Sequence, residues 1–444
     1  MKKIKTLPES CFLKLFFTLI SLCFLVAAFC MPDRGDMLAG LWRICSQPGK
    51  ISTNDFQLGG YAGTFLNMAL VGLCFTGLFY GLKAEASNVS TLAFLLTVGF
   101  CSWGITVLNI WFTVAGVFLY SAVKKEAPGK NINAMLFSTG IAPLINELLV
   151  RYPHTEVVGF QVPGFLLALV VGLAIGFFLP AGLTHAPNVH KGFDLYSAAV
   201  PVCFFAFFLN ALLYKTMGID VNLLTPVAGD LTVASRMTVN VFCCIVFGLC
   251  IVGALALGCR WGDYKKLLFA QDHVASVSGK LGKEVFLMNV GVYGLFILAY
   301  YNLIGASFNG VTFGIIFCML CTCNSGSHPG NVWPIMVGYV LASLGCRELS
   351  ALAGGNFAGA INAQAIIVGL CYANGLSPIV SKYGWGWGVV SAIMHYILVT
   401  SVPNMHGGFC LYNGGFTAAI ICLLLIPELE RFAKTKAERK ALKQ

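Results

Sequence analysis

One ten-residue stretch occurs twice in this chain of 444 residues, and the rest of the sequence aligns around it. Residues 187–196 read Pro-Asn-Val-His-Lys-Gly-Phe-Asp-Leu-Tyr, and residues 403–412 read Pro-Asn-Met-His-Gly-Gly-Phe-Cys-Leu-Tyr. Seven of the ten positions are identical. We call these two stretches the motif segments. So dense a match at so large a separation indicates an internal repeat, which predicts further matches in the same order along the chain.

Such matches run through both halves of the chain. They pair Gly35-Asp36 with Gly262-Asp263, Asn67 with Asn289, Asn88 with Asn309, Asn109 with Asn331, Trp111 with Trp333, and Thr139-Gly-Ile-Ala-Pro143 with Asn374-Gly-Leu-Ser-Pro378. The sequence therefore predicts a first membrane repeat over residues 1–222, a second over 223–432, and a basic cytoplasmic tail over 433–444.

The composition is that of an integral membrane protein. Apolar residues make up 58% of the chain and charged residues only 10%, whereas about a quarter of the residues of a soluble protein are charged. Apolar runs of about 16–24 residues recur along the chain, and that length is what a hydrocarbon layer of about 30 Å requires. The runs are continuous rather than alternating, which argues against an outer-membrane barrel. We predict an all-α polytopic membrane protein.

The basic residues behind the net charge of +10 gather in short connections and near both ends. This pattern favours cytoplasmic loops beside anionic lipid over nucleic-acid binding. It predicts a multi-pass protein of the bacterial cytoplasmic (plasma) membrane with both termini in the cytoplasm. The first apolar segment is expected to be retained, because Phe29 stands where a signal peptidase needs a small residue. The cysteines lack the spacing of a disulfide framework or a zinc site, so no metal or cofactor is expected.

Each half contains seven apolar elements. Those of the first half are 11–30, 60–82, 89–103, 105–122, 132–149, 160–180 and 196–214; those of the second are 237–258, 286–304, 311–323, 332–346, 359–373, 385–402 and 412–427. If every element crosses the membrane, the odd number places the second half upside down relative to the first. Inverted repeats are common among secondary transporters, where the site lies near the midplane between the halves.

Several elements are too short or too polar to be ordinary spans. Residues 311–323 are followed by the polar stretch 324–331, and residues 102–109 lie at the matching point of the first half. The fifth elements also carry polar residues ahead of Pro143 and Pro378. Lipid cannot satisfy the backbone groups that such interruptions free, so we expect broken or re-entrant helices that face protein or a watery cavity.

Polar residues at membrane depth are the candidates for a solute site. The predicted pore-lining residues are Asn109, Asn331, Gly104, Gly326, Thr106, Ser327, His328, Thr139, Asn374, Asn67 and Asn289. The alternative for the amides is hydrogen bonding between helices. His190 and His406 of the motif segments are predicted to form a paired gate or to cap a helix.

No motif of an enzyme is present, and the acids Glu147 and Asp194 have no acidic partner in the other half. The sequence thus favours a transporter or channel for a small, neutral polar solute, and it allows a homo-oligomer. The alternative is a membrane-embedded enzyme that acts on a lipid-linked substrate. The duplicated design with short broken segments resembles the urea-transporter-like solute channels in architecture only. More closely, the chain resembles an uncharacterised family of internally duplicated bacterial multi-pass membrane proteins, a resemblance that implies no activity.

Overall fold

The computed structural model describes residues 2–49, 53–221, 235–270 and 272–442. Within these ranges the ordered elements are helices. The predicted boundary between the repeats, at residues 222–223, lies outside the described residues. The principal helices of the first half are Glu9–Cys30, Met37–Cys45, Asp55–Gly81, Asn88–Phe100, Ile110–Lys124, Ile132–Ser138, Ala142–Val150, Val162–His185 and Ala199–Asn210.

The second half repeats this order of helices. Its principal helices are Arg236–Ala256, Trp261–Leu268, Lys283–Leu303, Gly310–Leu320, Pro329–Leu352, Gln364–Ala373, Ser377–Tyr383, Trp385–Val399 and Asn413–Phe432. All fourteen predicted elements have a helical counterpart at the expected place. One short helix follows the first long helix of each half, and neither was predicted; these are Met37–Cys45 and Trp261–Leu268.

Eight helical segments among the described residues are long and apolar enough to cross a membrane. The helices at the periphery carry large apolar side chains on their outer surface, including Val26, Val170, Met237 and Leu249. A soluble protein rarely exposes so much contiguous apolar surface, so this surface suits lipid. By contrast, residues 134–150 of the first fifth element (Pro128–Val150) and residues 366–381 of the second (Gln364–Tyr383) are all buried, which places both in the middle of the protein.

Two short helices, Asn88–Phe100 and Gly310–Leu320, pack against each other where the halves meet, and we call them the central pair. They run antiparallel, because Asn324 Nδ2 donates to Thr91 Oγ1 (3.1 Å) at one end and Ser102 Oγ donates to the carbonyl of Gly310 (2.8 Å) at the other. A Cβ at Gly314 would lie 2.3 Å from the carbonyl oxygen of Gly99, so glycine allows this close approach.

Both ends of the chain lie on the same face of the molecule. Near the N-terminus, Lys283 Nζ donates to the carbonyl of Lys5 (2.9 Å), and the Lys5 ammonium lies 3.3 Å from Glu284. Lys283 ends the connection that follows helix Arg236–Ala256. This connection covers the polar stretch that contains His328. At the other end of the chain, the Lys436 charge acts on His328. The two termini therefore meet around one connection of the second half.

Candidate functional site

The polar stretch of the first half, residues 101–109, interrupts the helices at the predicted place, and we call it the first break. Gly104, four residues beyond the end of the central helix Asn88–Phe100, adopts a positive φ of 143°. Asn109 closes the turn, because its Nδ2 donates to the carbonyl of Gly104 (3.0 Å) and its Oδ1 accepts from the Thr106 amide (2.9 Å). Asn67 of the neighbouring helix Asp55–Gly81 donates to two carbonyls of the same break, those of Cys101 (2.8 Å) and Ile105 (2.7 Å).

The second break, residues 321–331, repeats these bonds atom for atom. Gly326 has a φ of 93°. Asn331 donates to the Gly326 carbonyl (2.9 Å) and accepts from the His328 amide (2.9 Å). Asn289 donates to the carbonyls of Cys323 and Ser327, both at 2.9 Å. Four of the five asparagines predicted to line a pore, Asn67, Asn109, Asn289 and Asn331, are thus buried and bonded to backbone groups that the breaks leave free.

A connection of the same half covers each break. A Cβ at Gly49 would contact the Cα of Gly104 (3.4 Å), so the segment after helix Met37–Cys45 lies on the first break. In the second half, His273 and Val274 lie against Gly326. The two ring nitrogens of His273 are buried and have no hydrogen-bond partner among the described residues. This burial lowers the pKa of His273 to about 4.

The fifth elements break as well, and the residues of these breaks are fully buried. The helix of the first half is interrupted by a tighter turn at Thr139–Ile141, and that of the second half by one at Asn374–Leu376. In both halves a proline follows at the start of the next helix, where it costs no hydrogen bond. Thr139 and Asn374, both predicted site residues, stand at matching points of these two turns.

Each motif segment binds the fifth element of the opposite half. The Leu411 amide donates to the carbonyl of Gly140 (2.9 Å), and the Leu195 amide donates to that of Gly375 (3.1 Å). The tyrosine that follows each leucine lies flat on the same glycine. A Cβ at Gly140 would lie 2.5 Å from the ring of Tyr412, and one at Gly375 would lie 2.5 Å from that of Tyr196. The two halves are therefore interlocked by reciprocal contacts at their broken helices.

Uncharged polar side chains surround these contacts. In the second half, Asn374 Oδ1 accepts from the Tyr196 hydroxyl (2.8 Å), and its Nδ2 donates to the hydroxyls of Tyr293 (2.8 Å) and Thr322 (3.0 Å). In the first half the groups are hydroxyls alone. Thr139 lies 3.5 Å from Thr97, and Ser138 donates to Thr113 at 2.9 Å.

The two motif histidines cap turns within their own segments. His190 Nδ1 accepts from the Asp194 amide (3.3 Å), and His406 Nδ1 accepts from the Cys410 amide (3.2 Å). His190 also contacts Ser197 Oγ through Nε2 (2.9 Å), whereas Nε2 of His406 is buried and has no hydrogen-bond partner among the described residues. Both histidines therefore have the geometry of a side chain that caps a turn of its own segment.

Several residues of this region were not singled out by sequence reasoning. Tyr196 and Tyr412 were noted only as matches of the motif, and Tyr293 was not considered. Glu147 was noted, but its bidentate ion pair with Arg151 (2.7 and 2.8 Å), with both side chains fully buried, was not predicted. An i, i+4 spacing of opposite charges could have indicated that pair. Among the described residues, no group of three or more His, Cys, Asp or Glu could hold a metal ion.

Comparison with known proteins identifies a family. The family described as "Protein of unknown function (DUF1576)" matches residues 34–215 and 263–431. The chain belongs to this family. One matched region falls in each half, which is consistent with an internal duplication, and together the two regions include both breaks, both fifth elements and both motif segments. No curated protein and no solved structure matches the chain significantly.

Proposed function

We propose that this chain is a transporter for a small, neutral polar solute, with its site at the midplane of the membrane between two inverted repeats. On this proposal it resides in the bacterial cytoplasmic membrane with both termini inside, its partners are the lipid bilayer and the solute, and it is not an enzyme. The family match carries no activity, so the proposal rests on the arrangement of the broken helices.

The central pair supports the inversion of the repeats. Equivalent helices of the two halves, Asn88–Phe100 and Gly310–Leu320, run antiparallel side by side. An axis that exchanges two antiparallel helices is perpendicular to both of them. If these helices cross the bilayer, that axis lies in the membrane plane, which is the symmetry of an inverted repeat.

The reciprocal contact of motif segment and fifth element is the observation that carries the proposal. Each contact includes one backbone hydrogen bond, from Leu411 to Gly140 or from Leu195 to Gly375, and one tyrosine ring on a glycine. Tyrosine hydroxyls add to both contacts, because Tyr196 donates to Asn374 Oδ1 (2.8 Å) and Tyr372 donates to the Leu411 carbonyl (2.7 Å). Because the two contacts belong to opposite halves, opening one and keeping the other would expose the space between the fifth elements to one side of the membrane at a time.

The chemistry of the surrounding side chains supports a neutral solute. Thr139, Ser138 and Thr97 present hydroxyls, and Asn374 with Tyr293 presents an amide and a phenol. None of these groups is charged at neutral pH, and each can both donate and accept a hydrogen bond. A small amide, urea-like compound or polyol would replace the internal hydrogen bonds that these groups make when the site is closed.

The test is uptake of radiolabelled urea, acetamide, glycerol and related neutral solutes into proteoliposomes. We expect flux for at least one of these solutes, and we expect Thr139→Val to reduce it severalfold without loss of folded protein. Thr76→Val is the matched control, because Thr76 is equally buried but bonds only within its own helix, to Gly72 (2.7 Å). Absence of flux for the whole panel, with correctly folded protein in the vesicles, would refute the proposal.

A further inference from the structure

Asp194 is a buried carboxylate with an unsatisfied oxygen. The residue is 2% exposed. Its Oδ1 accepts from the Tyr196 amide (2.9 Å), whereas Oδ2 has no hydrogen-bond partner among the described residues. Burying an ionised carboxylate without a partner costs several kcal/mol, so such a group holds a proton instead. An ionisable residue in the interior of a membrane protein is a candidate functional group for that reason.

Asp194 lies at the contact that we propose to open and close. It immediately precedes Leu195, whose amide bonds to Gly375, and its Oδ1 would lie 2.9 Å from a Cβ at that glycine. The carboxyl group is therefore packed against the broken fifth element of the opposite half. Any movement that separates the motif segment from Gly375 must also uncover Asp194.

Among the described residues, no charged group pairs with this carboxylate. The titratable side chains of its own segment and of the elements packed around it include His190, Lys191, Tyr196, Tyr372, Lys382, Tyr383 and Cys422. His190 accepts a hydrogen bond from the backbone amide of Asp194 and does not contact the carboxylate. The ammonium of Lys382 lies over the rings of Phe193 and Tyr383, and Lys191 is paired with Glu430.

The other motif segment shows that the turn does not need an acid at this position. Cys410 occupies the equivalent place, and its amide donates to His406 Nδ1 at 3.2 Å, just as the Asp194 amide donates to His190 at 3.3 Å. Both turns therefore form in the same way with a neutral or an acidic side chain. The carboxyl group of Asp194 is an addition to one half only, and it is available for a role that the fold does not impose.

We propose that Asp194 is the proton-binding residue of a proton-coupled carrier, an inference that rests on the transport function proposed above. While both contacts are closed, the side chain is a neutral carboxylic acid. When the Leu195–Gly375 contact is open to one side, the carboxylate takes up a proton from water on that side, and only the neutral acid lets the contact close again. When the Leu411–Gly140 contact then opens to the other side, water that enters beside the fifth elements accepts the proton from the carboxyl group and leaves a carboxylate, so one proton crosses the membrane in each full cycle.

Protonation is tested first without any solute. Infrared spectra of the reconstituted protein, recorded at a series of pH values, should contain the C=O stretching band of a protonated carboxylic acid at neutral pH. Asp55 is also buried and also has an oxygen without a partner, so it should contribute a band of its own. Asp194→Asn is therefore introduced into an Asp55→Asn background, where the remaining band should disappear, whereas Glu85→Gln, which removes an exposed acid, should leave it unchanged. A band of unchanged intensity after Asp194→Asn is added, or no such band in the wild type, would overturn the proposal.

Coupling is tested with the solute panel described above, in vesicles with and without an inward proton gradient. With one proton for each solute molecule, the wild type should accumulate solute up to about tenfold for each unit of pH difference. Asp194→Asn should only equilibrate it. Equal wild-type flux with and without the gradient would refute coupling and leave transport standing. If no solute moves at all, the transport proposal fails, while the infrared result still decides whether Asp194 holds a proton.

Discussion

Asn67 and Asn289 show how much of this fold depends on single amide groups. Each donates two hydrogen bonds to carbonyls of a break, and each is fully buried. The sequence identified both residues as polar groups at membrane depth, but it left open whether they bind solute or hold helices together. The same amide suits either role, and only its bonding partners distinguish them. In the structure those partners are backbone carbonyls.

We expect Asn289→Asp to destabilise the protein. The change keeps the shape of the side chain but replaces the NH₂ donor by an oxygen, which leaves two buried carbonyls without a donor. Each unsatisfied group costs about 1–3 kcal/mol. The measurement is the melting temperature of the detergent-purified protein. As a control, Asn302→Asp disturbs a half-buried amide pair with Asn240 (2.9 Å) and should cost less. Equal melting temperatures for the wild type and Asn289→Asp would contradict this account.

At the scale of the elements, the breaks depend on a backbone shape that only glycine adopts easily. Gly326 has a φ of 93°, and a Cβ there would lie 2.4 Å from the carbonyl oxygen of Val274 in the covering connection. The neighbouring helix Pro329–Leu352 contains another glycine, Gly345, with no heavy atom within 4 Å of its Cβ position. The two glycines therefore differ in what a methyl group would meet.

Gly326→Ala should lower stability, because the methyl group meets both an unfavourable φ and a backbone carbonyl. Gly345→Ala should leave stability unchanged or raise it by up to about 1 kcal/mol, since alanine favours the helix. Thermal unfolding of both variants, supported by proteolysis of the connection over residues 272–282, makes the comparison. A Gly326→Ala variant as stable as Gly345→Ala would show that the break is not held in this shape.

The positions of the helices also show how much of the fold could be predicted from the sequence. Length and hydropathy located the fourteen elements, and polar or glycine-rich stretches located the breaks near Gly104 and Gly326. The cross-contacts between motif segment and fifth element were not predicted, because a repeat reveals which residues are equivalent and not which of them touch. The short helix Met37–Cys45 was missed since its apolar run is too brief to stand out from a loop. Asp194 was noted, but its unpartnered oxygen depends on packing from distant parts of the chain.

At the scale of the whole molecule, the positions of the chain ends constrain its orientation. The N-terminal segment and the C-terminal helix Lys436–Ala441 lie on one face, together with the connection that contains Lys283. The connection around Gly49 covers the first break. It therefore lies at the end of the central pair that is opposite to the face of the termini. Lys5, Lys283 and Lys436 lie on the face of the termini, and basic residues are typical of a cytoplasmic face.

We therefore predict that epitope tags at both termini are protected from protease in intact right-side-out cells, and that a tag inserted at Gly35 is accessible. Gly35 suits an insertion because no heavy atom lies within 4 Å of its Cβ position. Permeabilised cells provide the control, since all three tags should then be cleaved. Opposite behaviour of the two terminal tags would be incompatible with the structure.

The reciprocal contacts also impose an order on biosynthesis. Gly140 belongs to the first half, but the leucine and tyrosine that cover it, Leu411 and Tyr412, are synthesised about 270 residues later. The first fifth element therefore stays in the bilayer with its broken backbone incompletely covered until the second motif segment has been inserted. If translation stalls within the second half, the first fifth element of the nascent chain stays exposed. We expect membrane quality-control proteases to cleave such chains at this element.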